Sequence, residues 1–309
     1  MNDYQLFGWR LRSSLPLAEL LPWQGDDRTP DVMVEIGTVP PPDSHSTQFS
    51  PAIHISPATH FGPGGVHIAI PAVATYWVEA GKRVIVQPVL AETAPDIRVF
   101  LLGTVLAILC FQRGLLPLHA SAVEINGRAL LLSGHSGAGK STLAAALAGQ
   151  GHRLLSDDLC ALETSGPAPK ILPAFPRLNL WQDTAEQLQI AVEGLERSRA
   201  ALQKYHVPMT TAHFRTEALA PARIIFLRPE PVPERRQPRL LGGVEALRRY
   251  DLVHRWRLGL ALGRQAAMFT AMARLLEAVP AFELGRSEDF ADLPVLVDGI
   301  HALMTAAPE

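Results

Sequence analysis

The sequence predicts an α/β protein: a domain with a mostly parallel sheet and a phosphate-binding loop, preceded by a small β-rich N-terminal domain. Residues 1–95 are rich in proline, glycine and β-forming residues, which is typical of short strands separated by turns. From residue 96 the pattern changes to strand, glycine-rich loop, helix and strand, the beginning of a parallel α/β sheet. A chain of 309 residues has room for both parts. We therefore expect two domains, residues 1–95 and 96–309.

The N-terminal domain is expected to supply strands rather than chemistry. Four segments bounded by turn residues are predicted as strands: "DVMVEIG", "GVHIAI", "ATYWVEAG" and "KRVIVQP". The sequence shows no catalytic combination of side chains among them. Recruitment of a substrate and assembly into a homo-oligomer are both open as roles for this domain.

Composition argues against several classes of function. The net charge of −2 gives no reason to expect nucleic acid or an anionic membrane as a partner. Cys110 and Cys160 lack metal-ligand spacing, and so few cysteines fit a reducing cytoplasm. The first residues, "MNDYQLFGWRLRSS", do not have the pattern of a signal peptide. The longest apolar run, Val99 to Phe111, is too short to cross about 30 Å of hydrocarbon as a helix. We expect a soluble, cytoplasmic protein in which this run is a buried helix.

The second domain can be divided into elements in chain order. A helix from Asp96 to Gln112 is expected to end at Gly114, because glycine is the usual residue after a helix C-terminus. The strands "LPLHASAVEI" and "RALLLSG" are joined by the turn "NGR". The loop, a helix from Lys140 to Gly149 and the strand "HRLLS" follow. Farther on, "RIIFLRP" predicts another strand, and residues 254–279 predict one or two helices.

The loop fits the pattern G-x-x-x-x-G-K-[ST] at every defined position, between an apolar strand and a helix. Glycines let successive backbone N–H groups point at phosphate oxygens, and the N-terminus of the helix adds a positive field. Lys140 is expected to reach the β- and γ-phosphates of a nucleotide, and Ser141 to bind Mg²⁺. A turn that only caps a core helix is the alternative. The expected nucleotide contacts are Gly134, His135, Ser136, Gly137, Ala138, Gly139, Lys140, Ser141 and Thr142.

Two adjacent aspartates, Asp157 and Asp158, close the strand after the loop helix. Parallel strands end at the same edge of a sheet, so both carboxylates are expected to face the bound phosphates. Two carboxylates suit two tasks: one holds a metal ion and the other takes a proton from an attacking hydroxyl group. The alternative is that "SDD" is a solvated turn or a helix N-cap.

Other candidates are a histidine and several cations. His119 lies one strand before the loop. Arg177, in the segment "PAFPRLNLW", is a candidate for stabilising charge on the transferred phosphoryl group. Lys204, Arg215 and Arg264 are candidates for the same role, and spacing does not choose among the four. The polar stretch from Lys204 to Glu217 suits a mobile loop over the site.

The segment "LHASAVEINGRALLLSGHSGAGKSTLAAALAGQGHRLLSDD" resembles the catalytic domain of HPr kinase/phosphorylase. That family runs from a histidine-bearing strand through the loop G-x-S-G-x-G-K-S to "GHRL" and a double aspartate. A weaker similarity is "GRQAA" (263–267), which is similar to the "GRN-x-A" opening of a late helix in the family. The main resemblance covers about forty residues of this chain.

The resemblance implies that residues 96–309 form a P-loop kinase domain that uses ATP, or another nucleoside triphosphate or pyrophosphate, with Mg²⁺. It implies phosphorylation of a serine hydroxyl on a small protein. Carried over to this sequence, Asp157 is the base, Asp158 is a Mg²⁺ partner and His119 is a site residue. The same comparison places Lys140 on phosphate and Ser141 on Mg²⁺.

Two departures from the family pattern narrow this expectation. The family has a glutamate where this chain has Thr142, and its "EIRG-x-G" signature of the phosphorylase reaction is replaced by "RLNLWQD". We therefore expect a kinase without phosphorylase activity, acting on a serine or threonine of a protein or peptide. Relatives of this kind are tailoring kinases for ribosomally made peptides, lasso peptides among them. The alternatives are a kinase for a small hydroxyl-bearing molecule and a nucleotide-binding regulatory module without transfer chemistry.

Overall fold

The N-terminal part of the chain forms a nine-stranded sheet. The computed structural model describes residues 1–42, 47–49, 58–199, 201–250 and 255–306. The strands of this sheet are β1 (Asn2–Leu6), β2 (Trp9–Ser13), β3 (Leu21–Pro22), β4 (Val32–Ile36), β5 (Thr47–Phe49), β6 (Ala58–Gly62), β7 (Gly65–Ile70), β8 (Ala74–Glu79) and β9 (Arg83–Pro88). Their order is β3-β1-β2-β4-β9-β8-β7-β6-β5. Along β8 every second side chain is buried, so one face of the sheet is directed toward the core. The β-rich N-terminal region expected from the sequence is present.

An apolar helix, Pro95–Gln112, packs on this sheet. Tyr76 Oη, on β8, donates a hydrogen bond to Ile97 O at 2.9 Å. At the other end, Gln112 Nε2 donates to Val78 O at 3.3 Å. Within the part of the chain that the structure describes, this is the one helix long and apolar enough to cross a membrane, and 67 % of that window is buried. Its burial agrees with the expectation of a core helix. It consists of α1 (Pro95–Phe100), a π-helical segment (Leu101–Val105) and α2 (Leu106–Gln112).

The rest of the chain contains eleven further strands and six further helices within the described residues. The strands are β10 (Leu116–Leu118), β11 (Ala120–Ile125), β12 (Arg128–Ser133), β13 (Arg153–Ser156), β14 (Cys160–Glu163), β15 (Lys170–Leu172), β16 (Arg177–Trp181), β17 (Lys204–Pro208), β18 (Pro221–Pro229), β19 (Arg239–Leu240) and β20 (Ala281–Arg286). The helices are α3 (Lys140–Gly149), α4 (Gln182–Gln187), α5 (Gly243–Tyr250), α6 (Arg255–Ala261), α7 (Gln265–Ala278) and α8 (Leu293–Thr305).

The central sheet of this part has six strands in the order β13-β11-β12-β18-β20-β19. Strands β12, β18 and β20 run parallel to one another. The other three pairings, β11 with β12, β11 with β13 and β19 with β20, are antiparallel. The sheet is therefore mixed, and the expectation of a mostly parallel sheet is not confirmed.

A tight turn explains the antiparallel half of this sheet. Asn126 and Gly127 have φ angles of 52° and 74°, the left-handed pair that a two-residue hairpin requires. This turn folds β11 back against β12, so β11 occupies the place beside β12 where a parallel neighbour was expected. Strand β13 then pairs with the far side of β11 and runs in the same direction as β12. The carboxyl ends of β12, β13, β18 and β20 consequently lie at one edge.

Both faces of the central sheet are covered. On β12, Leu131 belongs to a core cluster that continues through the helix Pro95–Gln112 into the N-terminal sheet. Its neighbours Leu130 and Leu132 belong to a second cluster, which includes residues of α3 and α8. Alternation along the strand thus sends successive leucines to opposite layers. The first core is shared by residues on both sides of the expected domain boundary at residue 95, and that boundary remains a prediction.

Candidate active site

The glycine-rich loop joins β12 to α3 at the carboxyl edge of the sheet. Gly134, Gly137 and Gly139 have φ angles of 146°, 82° and 91°. Residues with a Cβ rarely adopt such angles, so the glycines are what allow the chain to turn here. Lys140 is the first residue of α3, and its Nζ donates to Gly134 O at 2.9 Å and to His135 O at 3.0 Å. The ammonium group therefore lies back over the loop.

Asp157 is buried beside this loop, with 2 % of its surface exposed. Its Oδ1 accepts hydrogen bonds from Ser121 Oγ at 2.6 Å and from Ser141 Oγ at 2.9 Å. Its Oδ2 accepts the backbone N–H of Asn179 at 2.8 Å. The side-chain oxygen of Asn179 is also buried and has no hydrogen-bond partner among the described residues. Carboxylate, hydroxyl and amide oxygens are the hard ligands that Mg²⁺ prefers, so the donor set fits that ion.

Asp158 is placed quite differently, although it is the next residue. It lies in the turn after β13 with a φ of 71°, a left-handed conformation that aspartate tolerates better than most residues. Its side chain is 41 % exposed, and its Oδ1 is 3.1 Å from Nδ1 of His119. The backbone turn thus separates the two adjacent carboxylates, one buried against Ser141 and the other open beside a histidine.

A cavity of about 820 Å³ lies in front of the loop. The residues that the sequence singled out and that line it are His119, Ser136, Gly137, Gly139, Lys140, Ser141, Thr142, Asp158 and Lys204. Asp157 does not line the cavity itself but accepts a hydrogen bond from Ser141, which does. Gly134, His135 and Ala138 complete the loop without being part of the lining. The fold therefore brings the loop, the histidine and both aspartates together.

Arg286, at the carboxyl end of β20, lines the same cavity and bonds to the loop. Its Nε donates to Ala138 O at 2.5 Å and its Nη2 donates to Gly137 O at 2.7 Å. A Cβ on Gly139 would lie 2.7 Å from the Nε of this arginine, which is too close for a real contact. Arg286 was not among the residues predicted from the sequence. The available signal was its position at the end of a buried strand at the ligand edge of the sheet.

Arg177 does not line the cavity. It is the first residue of β16, is buried, and its Nη1 lies 3.3 Å from Glu19 Oε1. Burial lowers the pKa of the Arg177 guanidinium, and the opposing attraction of Glu19 is a smaller effect. The structure therefore places this arginine in a buried ion network behind the site, whereas the sequence suggested a place beside the phosphates.

The other three candidate cations, Lys204, Arg215 and Arg264, have different surroundings. Lys204 lines the cavity and lies 5.7 Å from the ring centre of Trp181, whose surface is 44 % exposed. Arg215 forms an ion pair with Glu217 outside the cavity lining. Arg264 precedes α7. The stretch from Lys204 to Glu217, which was expected to be a mobile loop, contains β17 and a 3₁₀ turn instead.

Known proteins resemble this chain in sequence and in structure. Residues 115–173 match the model of the family described as the HPr Serine kinase C-terminal domain. Among solved structures, the Hpr(Ser) kinase/phosphatase from Coxiella burnetii is similar, with a TM-score of 0.33 and 12 % identity over 60 % of this chain and 89 % of that chain. No curated protein matches this chain. The matched residues 115–173 include the loop, His119 and both aspartates.

Proposed function

We propose, proceeding from the HPr-kinase-like domain to which residues 115–173 belong, that this chain is an ATP- and Mg²⁺-dependent kinase. The family match confirms the resemblance noted in the sequence, and it indicates chemistry of the kinase or phosphatase type. The proposed reaction transfers the γ-phosphate to a serine or threonine hydroxyl of a protein or peptide, without the phosphorylase reaction. A cytoplasmic location is part of the same proposal.

One observation carries the proposal: the two aspartates next to the loop have separate partners. Asp157 bonds to Ser141, the residue that the loop motif assigns to Mg²⁺, while Asp158 and His119 share the open side of the cavity. A site for phosphoryl transfer needs both a metal-binding end and a proton-accepting end. A turn that only caps a helix would need neither.

The geometry supports a division of roles that reverses the one implied by the family resemblance. Both oxygens of Asp157 already accept hydrogen bonds from groups of the protein, so we assign Asp157 with Ser141 to the metal end. Asp158 is exposed and lines the cavity, so we assign it as the base. Mg²⁺, when bound, neutralises charge on the phosphate oxygens.

In the proposed transfer Asp158 accepts the hydroxyl proton of the acceptor while the acceptor oxygen forms a bond to the γ-phosphorus. The bond from that phosphorus to the bridging oxygen breaks, and ADP leaves with the electron pair. His119, at 3.1 Å from Asp158, orients the carboxylate. Lys140 and Arg286 lie on the loop side of the same cavity and supply positive charge there.

Transfer of label from γ-labelled ATP tests the proposal. The purified protein is incubated with Mg²⁺, γ-labelled ATP and a soluble lysate of the source cells, and acid-stable label is separated by size. We expect label on a protein or peptide, lowered about 100-fold or more in Lys140→Ala and in Asp158→Asn. Lys82→Ala and Asp27→Asn, both at exposed positions of the N-terminal region, are the matched controls and should label as the wild type does.

The other outcomes identify the alternatives. Label that appears only in the small-molecule fraction would favour a kinase for a small hydroxyl compound. ATP binding without any labelling, unchanged in Asp158→Asn, would favour a regulatory module and contradict the kinase.

A further inference from the structure

A buried network of charged side chains lies between the N-terminal sheet and the candidate active site. Glu19, Arg98 and Arg177 are all at least nine-tenths buried. Glu19 Oε1 accepts from Arg98 Nε at 2.9 Å and from Arg177 Nη1 at 3.3 Å. The same Arg98 donates through Nη2 to Glu196, and His206 Nδ1 lies 3.3 Å from Glu196 Oε2. The network thus joins residue 19 of the N-terminal region to the strand pair β16–β17.

These groups include a set that could be mistaken for a metal site. Ligand atoms of Glu19, Glu196 and His206 lie within 4.8 Å of one another. However, both carboxylates already bond to Arg98, and Arg177 adds a second guanidinium at the same place. Two fixed positive charges oppose the entry of a cation. We therefore interpret the cluster as an ion network with balanced charge.

The strand held by this network is the one that contacts Asp157. Arg177 begins β16, and two residues later Asn179 donates its N–H to Asp157 Oδ2 at 2.8 Å. A second contact of the N-terminal region lies just before this strand, where Phe7 N, in the turn between β1 and β2, donates to Pro173 O at 3.0 Å. The N-terminal region therefore contacts the segment from residue 173 to residue 177 at both ends. Two residues after this segment, Asn179 bonds to Asp157, the proposed metal-binding carboxylate.

We propose that the N-terminal region positions the metal end of the site through the Glu19–Arg177 ion pair, which sets the place of β16 and hence of the Asn179 N–H on Asp157. Glu19 and Arg177 are positioning residues in this proposal, because neither lines the cavity. The inference rests on the proposed function, since it takes Asp157 as part of the Mg²⁺ site. It gives the N-terminal region a task within the catalytic site itself.

The Mg²⁺ concentration that gives half-maximal binding of a fluorescent ATP analogue is the test, measured on the full chain. In Glu19→Gln we expect this concentration to rise about tenfold while binding without Mg²⁺ is unchanged, since only the metal end is displaced. Glu35→Gln removes a carboxylate that pairs with Arg83 on the N-terminal sheet and that has no bond to the residues of the network. It is the matched control and should bind within twofold of the wild type.

A second variant keeps the proposal testable where Glu19→Gln does not fold. Arg177→Met breaks the same link but leaves Glu19 paired with Arg98, so no buried carboxylate loses all its partners. It should raise the Mg²⁺ midpoint by a similar factor. Where Glu19→Gln does fold, the double variant should raise the midpoint no further. Arg177→Lys should restore part of the affinity, and the amide of Asn179 should exchange with deuterium about tenfold faster in Arg177→Met.

Folded Arg177→Met with the wild-type midpoint and wild-type exchange at Asn179 would overturn the inference and leave the kinase proposal intact. A wild-type protein that shows no Mg²⁺-dependent ATP binding would instead overturn the proposed function, and this inference with it. A melting temperature that falls while the midpoint stays the same would show a role in stability alone, which also contradicts the proposal.

Discussion

At the scale of single residues, the two adjacent aspartates differ in burial, and this makes their substitutions distinguishable. Asp157→Asn places an amide N–H₂ among groups that already donate, Ser121, Ser141 and the Asn179 N–H. We expect a loss of about 1–3 kcal/mol in the free energy of unfolding, because a buried donor is left unpaired, and loss of Mg²⁺-dependent ATP binding. Asp158→Asn should keep both stability and ATP binding and lose phosphate transfer. Thermal unfolding and nucleotide titration of both variants measure this. Equal effects of the two substitutions would contradict the assigned roles.

Arg286 provides a second prediction at this scale. Its guanidinium donates to the carbonyl oxygens of Ala138, Gly137 and Ser287. We expect Arg286→Ala to lower ATP affinity about tenfold, equivalent to about 1.4 kcal/mol, because the loop loses its tether and the cavity loses a positive charge. Arg239→Ala, an exposed arginine at the edge of the same sheet, is the control. Isothermal titration with ATP measures both, and an affinity within twofold of the wild type in Arg286→Ala would rule out the tethering role.

Single residues also show what could be read from the sequence and what could not. The loop and both aspartates carried a spacing signal, because their chemistry depends on local order along the chain. Arg177 did not, since its partner Glu19 is 158 positions away and only the fold brings them together. Asn179 contacts Asp157 through its backbone, so its side-chain identity in the sequence gave no hint of the contact.

At the scale of elements, local sequence patterns predicted the bounds of single elements and the tight turn. They did not predict which strands pair when those strands are far apart in the chain. Helix α3 has the predicted bounds, Lys140–Gly149, because glycines with positive φ precede and follow it. The turn at Asn126 and Gly127 predicted the hairpin of β11 and β12. The same hairpin places an antiparallel strand inside the central sheet, whereas a mostly parallel sheet was predicted. The neighbour of β12 on its other side, β18, begins at residue 221, and no local pattern specifies such a partner.

The strand pair β16–β17 should respond to acid through His206. Burial and the neighbouring guanidinium of Arg177 lower the pKa of His206 to about 4, and Glu196 opposes them. The unfolded chain, with an ordinary histidine pKa of about 6.5, then binds more protons than the folded chain between these two values. The contribution of His206 to stability is therefore present above pH 6.5 and is lost as the pH falls toward 4.

Urea denaturation at pH 7 and pH 5 checks this prediction. We expect the wild type to lose stability between these pH values, and His206→Gln to lose distinctly less. His213→Gln, at an exposed position, is the matched control and should follow the wild type. The same pH dependence in all three proteins would show that His206 is not the group responsible.

At the scale of the whole molecule, the two predicted domains share one apolar core. Ile108 in α2 is fully buried, and its cluster contains residues from β8 of the N-terminal sheet and from β12 of the central sheet. We therefore expect both parts to unfold in a single transition. The N-terminal region is monitored by tryptophan fluorescence in a Trp181→Phe, Trp256→Phe background, whose remaining tryptophans lie within residues 1–95, and the site by release of a bound ATP analogue. Ile108→Ala should lower the free energy of unfolding by about 2–5 kcal/mol, and both midpoints should therefore fall together. Val89→Ala, at a position 67 % exposed, should lower neither. Two separate transitions, or a shift in one midpoint alone, would mean that the N-terminal sheet unfolds independently of the central sheet. The contacts from Glu19 to Asp157 would then connect two units that unfold separately.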